Sequence, residues 1–163
     1  MWNYWEKYNI WNMKVSIIGG AGYVGLITGL GLAQLGHKVT NIDIAEEKIK
    51  ILLEGKSPIY EEDIESVLKK CLSSGNINFT TEPSDSIPDS DVIIIAVGTP
   101  SNESGDIDLT QIKSAIDQIK SNFKPYKVVV MKSTVPLDAV ELMRQEFSKQ
   151  YKEGKDFDIV SNP

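Results

Sequence analysis

"VSIIGGAGYVGL", residues 15–26, passes from an apolar run through four glycines into a helix-prone stretch. Its spacing, Gly20-x-Gly22-x-x-Gly25, carries chemical meaning only where a strand ends and a helix begins. That context holds here, since residues 14–19 read as a buried strand and residues 23–35 as a helix. In such a turn Gly20 permits the tight reversal and Gly22 lets backbone approach a pyrophosphate. Gly25 lets the helix pack closely on the strand. The helix N-terminus then offers free N–H groups and the positive end of the helix dipole to an anion. Gly19 reads as conformational slack rather than a contact.

Outward from this loop, strand and helix alternate. Strands are expected at residues 14–19, 38–43, 78–80, 91–97, 127–132 and 157–160. They are short, rich in Val and Ile and mostly apolar throughout, as strands covered on both faces are. Helices are expected at residues 23–35, 45–53, 61–73, 109–122 and 136–152. Gly36 and Gly55 sit just past two of these, where a left-handed cap is wanted. Pro136 sits at the start of another, where its missing N–H costs nothing. The alternation predicts an α/β fold: a Rossmann-like, doubly wound parallel sheet of about six strands, in the order 3-2-1-4-5-6, with helices on both faces. Asp43 ends the second strand. A carboxylate there can accept both hydroxyls of a ribose and repels a 2′-phosphate, and Ile44 and Ala45 follow with no arginine to receive one. NAD over NADP is the physical reading; the alternative is an Asp that caps the next helix.

At 163 residues, 41% apolar and 25% charged, the chain has the balance of one soluble globular domain. Its net charge of −6 and lack of basic runs argue against nucleic acid or an anionic membrane as partner. Cys71 is the single cysteine, so no internal disulfide forms and a cytoplasmic location is expected. The longest apolar run, residues 92–97, is far short of the ~20 residues of a membrane span. The first twelve residues, "MWNYWEKYNIWN", hold all three tryptophans. Trp2, Trp5, Tyr8 and Trp11 recur every three residues, which admits a short docking helix. A mobile tail over residues 1–12, or a start upstream of Met13, is the preferred reading, because so short a helix is marginal in water. Residues 13–163 form the dinucleotide-binding unit.

Several further blocks are specific. "GYVGLITGLGLAQLGHKVTNIDIAEEKIKILLEGKSPIYE", "NINFTTE", "VIIIAVGTP" followed by "GDIDLTQI", "MKSTVP" and "VSNP" run in this order from residue 22 to residue 163. Together they resemble the N-terminal NAD-binding part of the UDP-glucose/GDP-mannose dehydrogenases. The resemblance implies that the loop from Gly20 through Ala21, Gly22, Tyr23 and Val24 to Gly25 holds the pyrophosphate. It implies that Asp43 and Lys48 hold the adenosine ribose. Val97, Thr99 and Pro100 are implied to line the cofactor site after the fourth strand, as are Ser133, Thr134 and Val135 after the fifth, near the nicotinamide. Thr134 is also implied to stand close to the reacting centre and orient water, and no metal is implied.

On the residues alone, Lys48 reads more simply as a solvated helix lysine. Thr99-Pro100 and Ser133-Thr134 read equally as turn and capping residues. Pro58-Ile59-Tyr60-Glu61 reads as a helix entry, which the resemblance places beside the cofactor cleft, and His37 as a surface residue. Two positions depart from the pattern of this family. Glu62 stands where proline is frequent and reads as a first-turn acid favourable to the helix dipole. Asp138 stands where glycine is frequent and adds negative charge to a loop implied to border the active site.

The chemistry implied by the resemblance is the two-fold, NAD-dependent oxidation of a sugar-nucleotide primary alcohol to a carboxylate. It proceeds through a thiohemiacetal and a thioester on a cysteine nucleophile. That cysteine is implied to lie in a later domain, and Cys71, on the helix before the third strand, reads as a buried small residue. The chain is therefore expected to be part of a longer enzyme, without the central and UDP-binding domains. It is expected to bind NAD without turnover and to meet its nucleotide-sugar substrate only within a full-length homodimer of polysaccharide biosynthesis. UDP-glucose, a UDP-N-acetyl-hexosamine and GDP-mannose are not separable here, and a freestanding non-catalytic NAD-binding module is the reading from a different class.

Overall fold

The computed structural model describes residues 12–101, 107–135 and 137–163. Six parallel strands form one sheet: β1 (Lys14–Ile18), β2 (Lys38–Ile42), β3 (Ile77–Thr80), β4 (Val92–Ile95), β5 (Lys127–Met131) and β6 (Phe157–Ser161). Their spatial order is β3-β2-β1-β4-β5-β6, as the alternation predicts. Among the described residues five α-helices lie between them, α1 (Tyr23–Gln34), α2 (Glu46–Leu53), α3 (Ile64–Ser73), α4 (Thr110–Ser121) and α5 (Leu137–Ser148), and two short 3-10 turns, Pro83–Asp85 and Ile87–Asp89, join β3 to β4. None of the described helices is long and apolar enough to cross a membrane.

The two-residue period of the strands divides the core between two faces. Val15 and Ile17 of β1 meet Leu26 and Leu30 of α1 and Leu68 of α3 in one cluster. Ile18 of β1, with Ile93 and Ile95 of β4, meets Ile112 and Ile116 of α4 and Phe147 of α5 in the other. Helices therefore cover both faces, which is why strands such as β4 are apolar at successive positions.

Element ends differ from expectation where local geometry intervenes. The third helix begins at Ile64 rather than residue 61, because Asp63 takes a left-handed φ of 60° and cannot continue a right-handed helix backwards. Glu62 thus precedes the helix and is not a first-turn acid. The last helix ends at Ser148; Tyr151 instead turns its ring against Phe123, with centroids 4.3 Å apart. Gly36 and Gly55 hold the expected left-handed caps, with φ of 95° and 75°. The expected tail over residues 1–11, the helix-start role of Pro136 and the side chain of Asp138 lie outside the described residues.

Candidate functional site

The C-terminal ends of β1, β2 and β4 converge on one cleft of about 500 Å³. The loop after β1 is drawn tightly into the sheet. Gly19 and Gly20 both donate their N–H to Ile42 O, at 3.0 and 2.9 Å. Gly19 is not slack: its φ is +81°, and a Cβ there would lie 2.6 Å from Ala96 O at the end of β4. Gly25 lets α1 close on the strand, since a Cβ there would sit 2.3 Å from Gly19 O. The first rung of α1 is Leu26 N–H to Gly22 O at 2.9 Å. The N–H groups of Tyr23, Val24 and Gly25 therefore precede the ladder of the helix.

Asp43 follows β2, half-buried at the rim of the same cleft. Its Oδ2 accepts Ala21 N–H at 3.0 Å and its Oδ1 accepts Ala45 N–H at 3.1 Å. The carboxylate does not cap α2, whose N-cap is Ala45 with no side-chain bond. Each carboxylate oxygen keeps a second lone pair, so both can still accept a hydroxyl. Lys48, exposed on α2, also lines the cleft and forms no ion pair among the described residues. Unpaired N–H donors beside a carboxylate and an ammonium can hold an anion and a vicinal diol together.

The other expected residues divide. Gly22, Asp43, Lys48 and Val97 line the cleft; Gly20, Ala21, Tyr23, Val24 and Gly25 of the glycine loop are not among its walls, and Thr99, Pro100, Ser133, Thr134 and Val135 stand outside them on the neighbouring strand-end loops. Those loops are tied together: Thr99 Oγ1 donates to Thr134 O at 3.1 Å, and Ser133 Oγ donates to Val97 O at 2.7 Å. Ser133 is buried and its hydroxyl proton is spent on this tie, while Thr134 is exposed. The segment before α3 lies beside α1, as Tyr23 donates its hydroxyl to Glu61. That bond, with the negative charge of Glu61, raises the Tyr23 pKa.

Sequence reasoning missed the wall that α4 supplies. Gln111, Ser114 and Gln118 line the cleft. Their spacing of three and four places them on one helical face, a polar stripe that was the available signal. Cys71 lies far from this chemistry: it is buried, its Sγ is 3.9 Å from Leu30 O, and burial pushes its thiol pKa up.

A doubly wound sheet with a glycine turn and a strand-end carboxylate at its open edge defines a dinucleotide-binding α/β domain. Comparison with known proteins narrows the class. Residues 13–163 match the model of the UDP-glucose/GDP-mannose dehydrogenase family, NAD binding domain, and the chain belongs to that family. It is 41% identical over 150 residues to UDP-glucose 6-dehydrogenase TuaD of Bacillus subtilis, covering 92% of this chain and 32% of that protein. A GDP-mannose dehydrogenase from Pseudomonas aeruginosa, solved as a ternary complex, superposes with a TM-score of 0.83 at 34% identity, over 93% of this chain and 36% of that one. UDP-D-ManNAc dehydrogenase from Pyrococcus horikoshii superposes with a TM-score of 0.86 at 32% identity, over 91% and 35%. The chain thus spans about a third of the length of TuaD, and its cofactor is NAD.

Proposed function

We propose that this cleft holds NAD for a nucleotide-sugar 6-dehydrogenase that oxidises UDP-glucose to UDP-glucuronate in two NAD-dependent steps. The observation that carries the reading is the meeting, in one cleft, of Gly22, at the turn into the N-terminus of α1, and the carboxylate of Asp43. The residues present fit the cofactor. A Cβ at Gly22 would meet nothing closer than Gly19 O at 3.4 Å, so glycine there leaves the mouth of the loop open for a pyrophosphate.

In this reading the loop from Gly20 through Ala21, Gly22, Tyr23 and Val24 to Gly25 receives the pyrophosphate. Asp43 accepts the hydroxyls of the adenosine ribose, and Lys48 supports it. Val97, Thr99 and Pro100 border the cofactor after β4, Ser133, Thr134 and Val135 stand near the nicotinamide after β5, and Thr134 orients water near the reacting carbon. Bound NAD supplies the hydride acceptor. The covalent step and recognition of UDP belong to residues beyond this chain, in a cytoplasmic homodimer. UDP-glucose is favoured by the name of TuaD. GDP-mannose and UDP-D-ManNAc, named for the two solved neighbours, are the alternatives.

The chain itself is expected to bind NAD without turnover, because Cys71, its only thiol, is 3% exposed and packs in the core between α3 and α1. Incubation with NAD and UDP-glucose should give no NADH at any pH. NADH formation, whether it survives Cys71→Ser or is abolished by it, would overturn this division of labour.

A further inference from the structure

Asn41 is a polar side chain buried at 0% exposure within β2, where its neighbours across the sheet are Ile17 of β1 and Phe79 of β3. Its Nδ2 donates to Gly20 O at 2.8 Å and, more weakly, to Gly25 O at 3.4 Å. One side chain therefore spans the glycine loop from its first turn to the start of α1. Two residues on, and so on the same face of the strand, Asp43 Oδ2 accepts Ala21 N–H at 3.0 Å. Gly20 O and Ala21 N–H are opposite ends of a single planar peptide group. Asn41 and Asp43 grip that plane at both ends, and it cannot rotate without breaking both bonds. Its orientation sets the direction in which the loop carries Gly22 and the free N–H groups after it.

We propose that Asn41 is a positioning residue that presets the glycine loop for a pyrophosphate. The inference rests on the reading of the cleft as an NAD site. A second observation separates it from ordinary core packing. Asn41 Oδ1 is buried with no hydrogen-bond partner among the described residues. It faces α1, where a Cβ at Gly29 would lie 2.4 Å from it. Flipping the amide would turn Oδ1 against two carbonyl oxygens, so the orientation is fixed by its donors. An unpaired buried acceptor destabilises the fold, and an apolar side chain of the same shape would suit the core better. What asparagine adds is the grip on the loop. A loop held in its binding shape before the ligand arrives spares the ligand the cost of ordering it.

The test uses the 163-residue chain with Asn41→Leu and, in parallel, Asn41→Ala. Each is titrated with NAD, ADP and adenosine, and its melting temperature is recorded. NAD and ADP, which carry the pyrophosphate, should weaken about five- to tenfold, the scale of one hydrogen bond. Adenosine should stay within about twofold on the same scale, and Asn41→Leu should melt no lower than the native chain. An equal loss for all three ligands, or native NAD affinity in a folded variant, would overturn the proposal. If neither variant folds, NMR of the native chain decides. Slow hydrogen exchange of the Asn41 side-chain amide supports the grip, and exchange as fast as at an exposed asparagine overturns it. Failure of the native chain to bind NAD at all would instead sink the cofactor reading.

Discussion

A Cβ at Gly22 would meet only Gly19 O, at an ordinary 3.4 Å, whereas at Gly25 it would lie 2.3 Å from the same oxygen. Gly22 also has an extended backbone, φ −79° and ψ 168°, that any residue adopts. Gly22→Val should therefore leave a cooperatively melting domain and place its side chain where the pyrophosphate belongs. Calorimetry should find no NAD binding in that variant; a folded variant with native affinity would mean that the loop is not the site. The close packing at Gly25 was legible from the spacing once it was set between a strand and a helix, because it follows from that geometry. Those of Gly19 and Asn41 were not. Gly19 is required by Ala96, and Asn41 acts on Gly20 and Gly25, through contacts between segments distant along the chain.

Lys127 opens β5, 2% exposed, and donates from Nζ to Pro88 O at 2.9 Å and Ser90 O at 2.6 Å. It thereby fastens β5 to the turn that feeds β4. Burial lowers its pKa, against the opposing pull of Asp91 and Asp89. Lys127→Met keeps much of the apolar stem and strands two carbonyls, so it should lower stability by about 1–3 kcal/mol. Urea unfolding checks this, with unchanged stability as the contrary result, and NAD affinity should not move because Lys127 opens the strand at the end away from the cleft. Strand and helix order was legible because each element buries its apolar residues at its own period. The helix starts and stops were less so. Asp63 cuts α3 short through a left-handed backbone, and the α4 wall of the cleft hides as the polar face of an amphipathic helix. The strand-end pairs Thr99-Pro100 and Ser133-Thr134 could be read as loop segments after strands, but their tie through Thr99 Oγ1 and Ser133 Oγ appears only in three dimensions.

Across the molecule, the chain crosses from one side of β1 to the other after β3, and the resulting order β3-β2-β1-β4-β5-β6 puts the switch point between β1 and β4. Both strands end at the cleft, through Ile18 and Gly19 on one side and Ala96, Val97 and Gly98 on the other. Ligands of doubly wound sheets bind at such a crevice. In the proposed reading the loop after β1 supplies donors for a pyrophosphate and Asp43 supplies acceptors for a ribose diol. The central claim is that these act as one NAD site, with Asp43 setting the choice against a 2′-phosphate. Calorimetric titration of the native chain and of Asp43→Ala with NAD and NADP tests it most directly. The native chain should bind NAD at least about tenfold more tightly than NADP. Asp43→Ala should weaken NAD by about 1–3 kcal/mol, the usual loss of charge-assisted hydrogen bonds, and narrow that gap. Equal affinity of the native chain for the two cofactors, or NAD binding untouched by Asp43→Ala, would contradict the account.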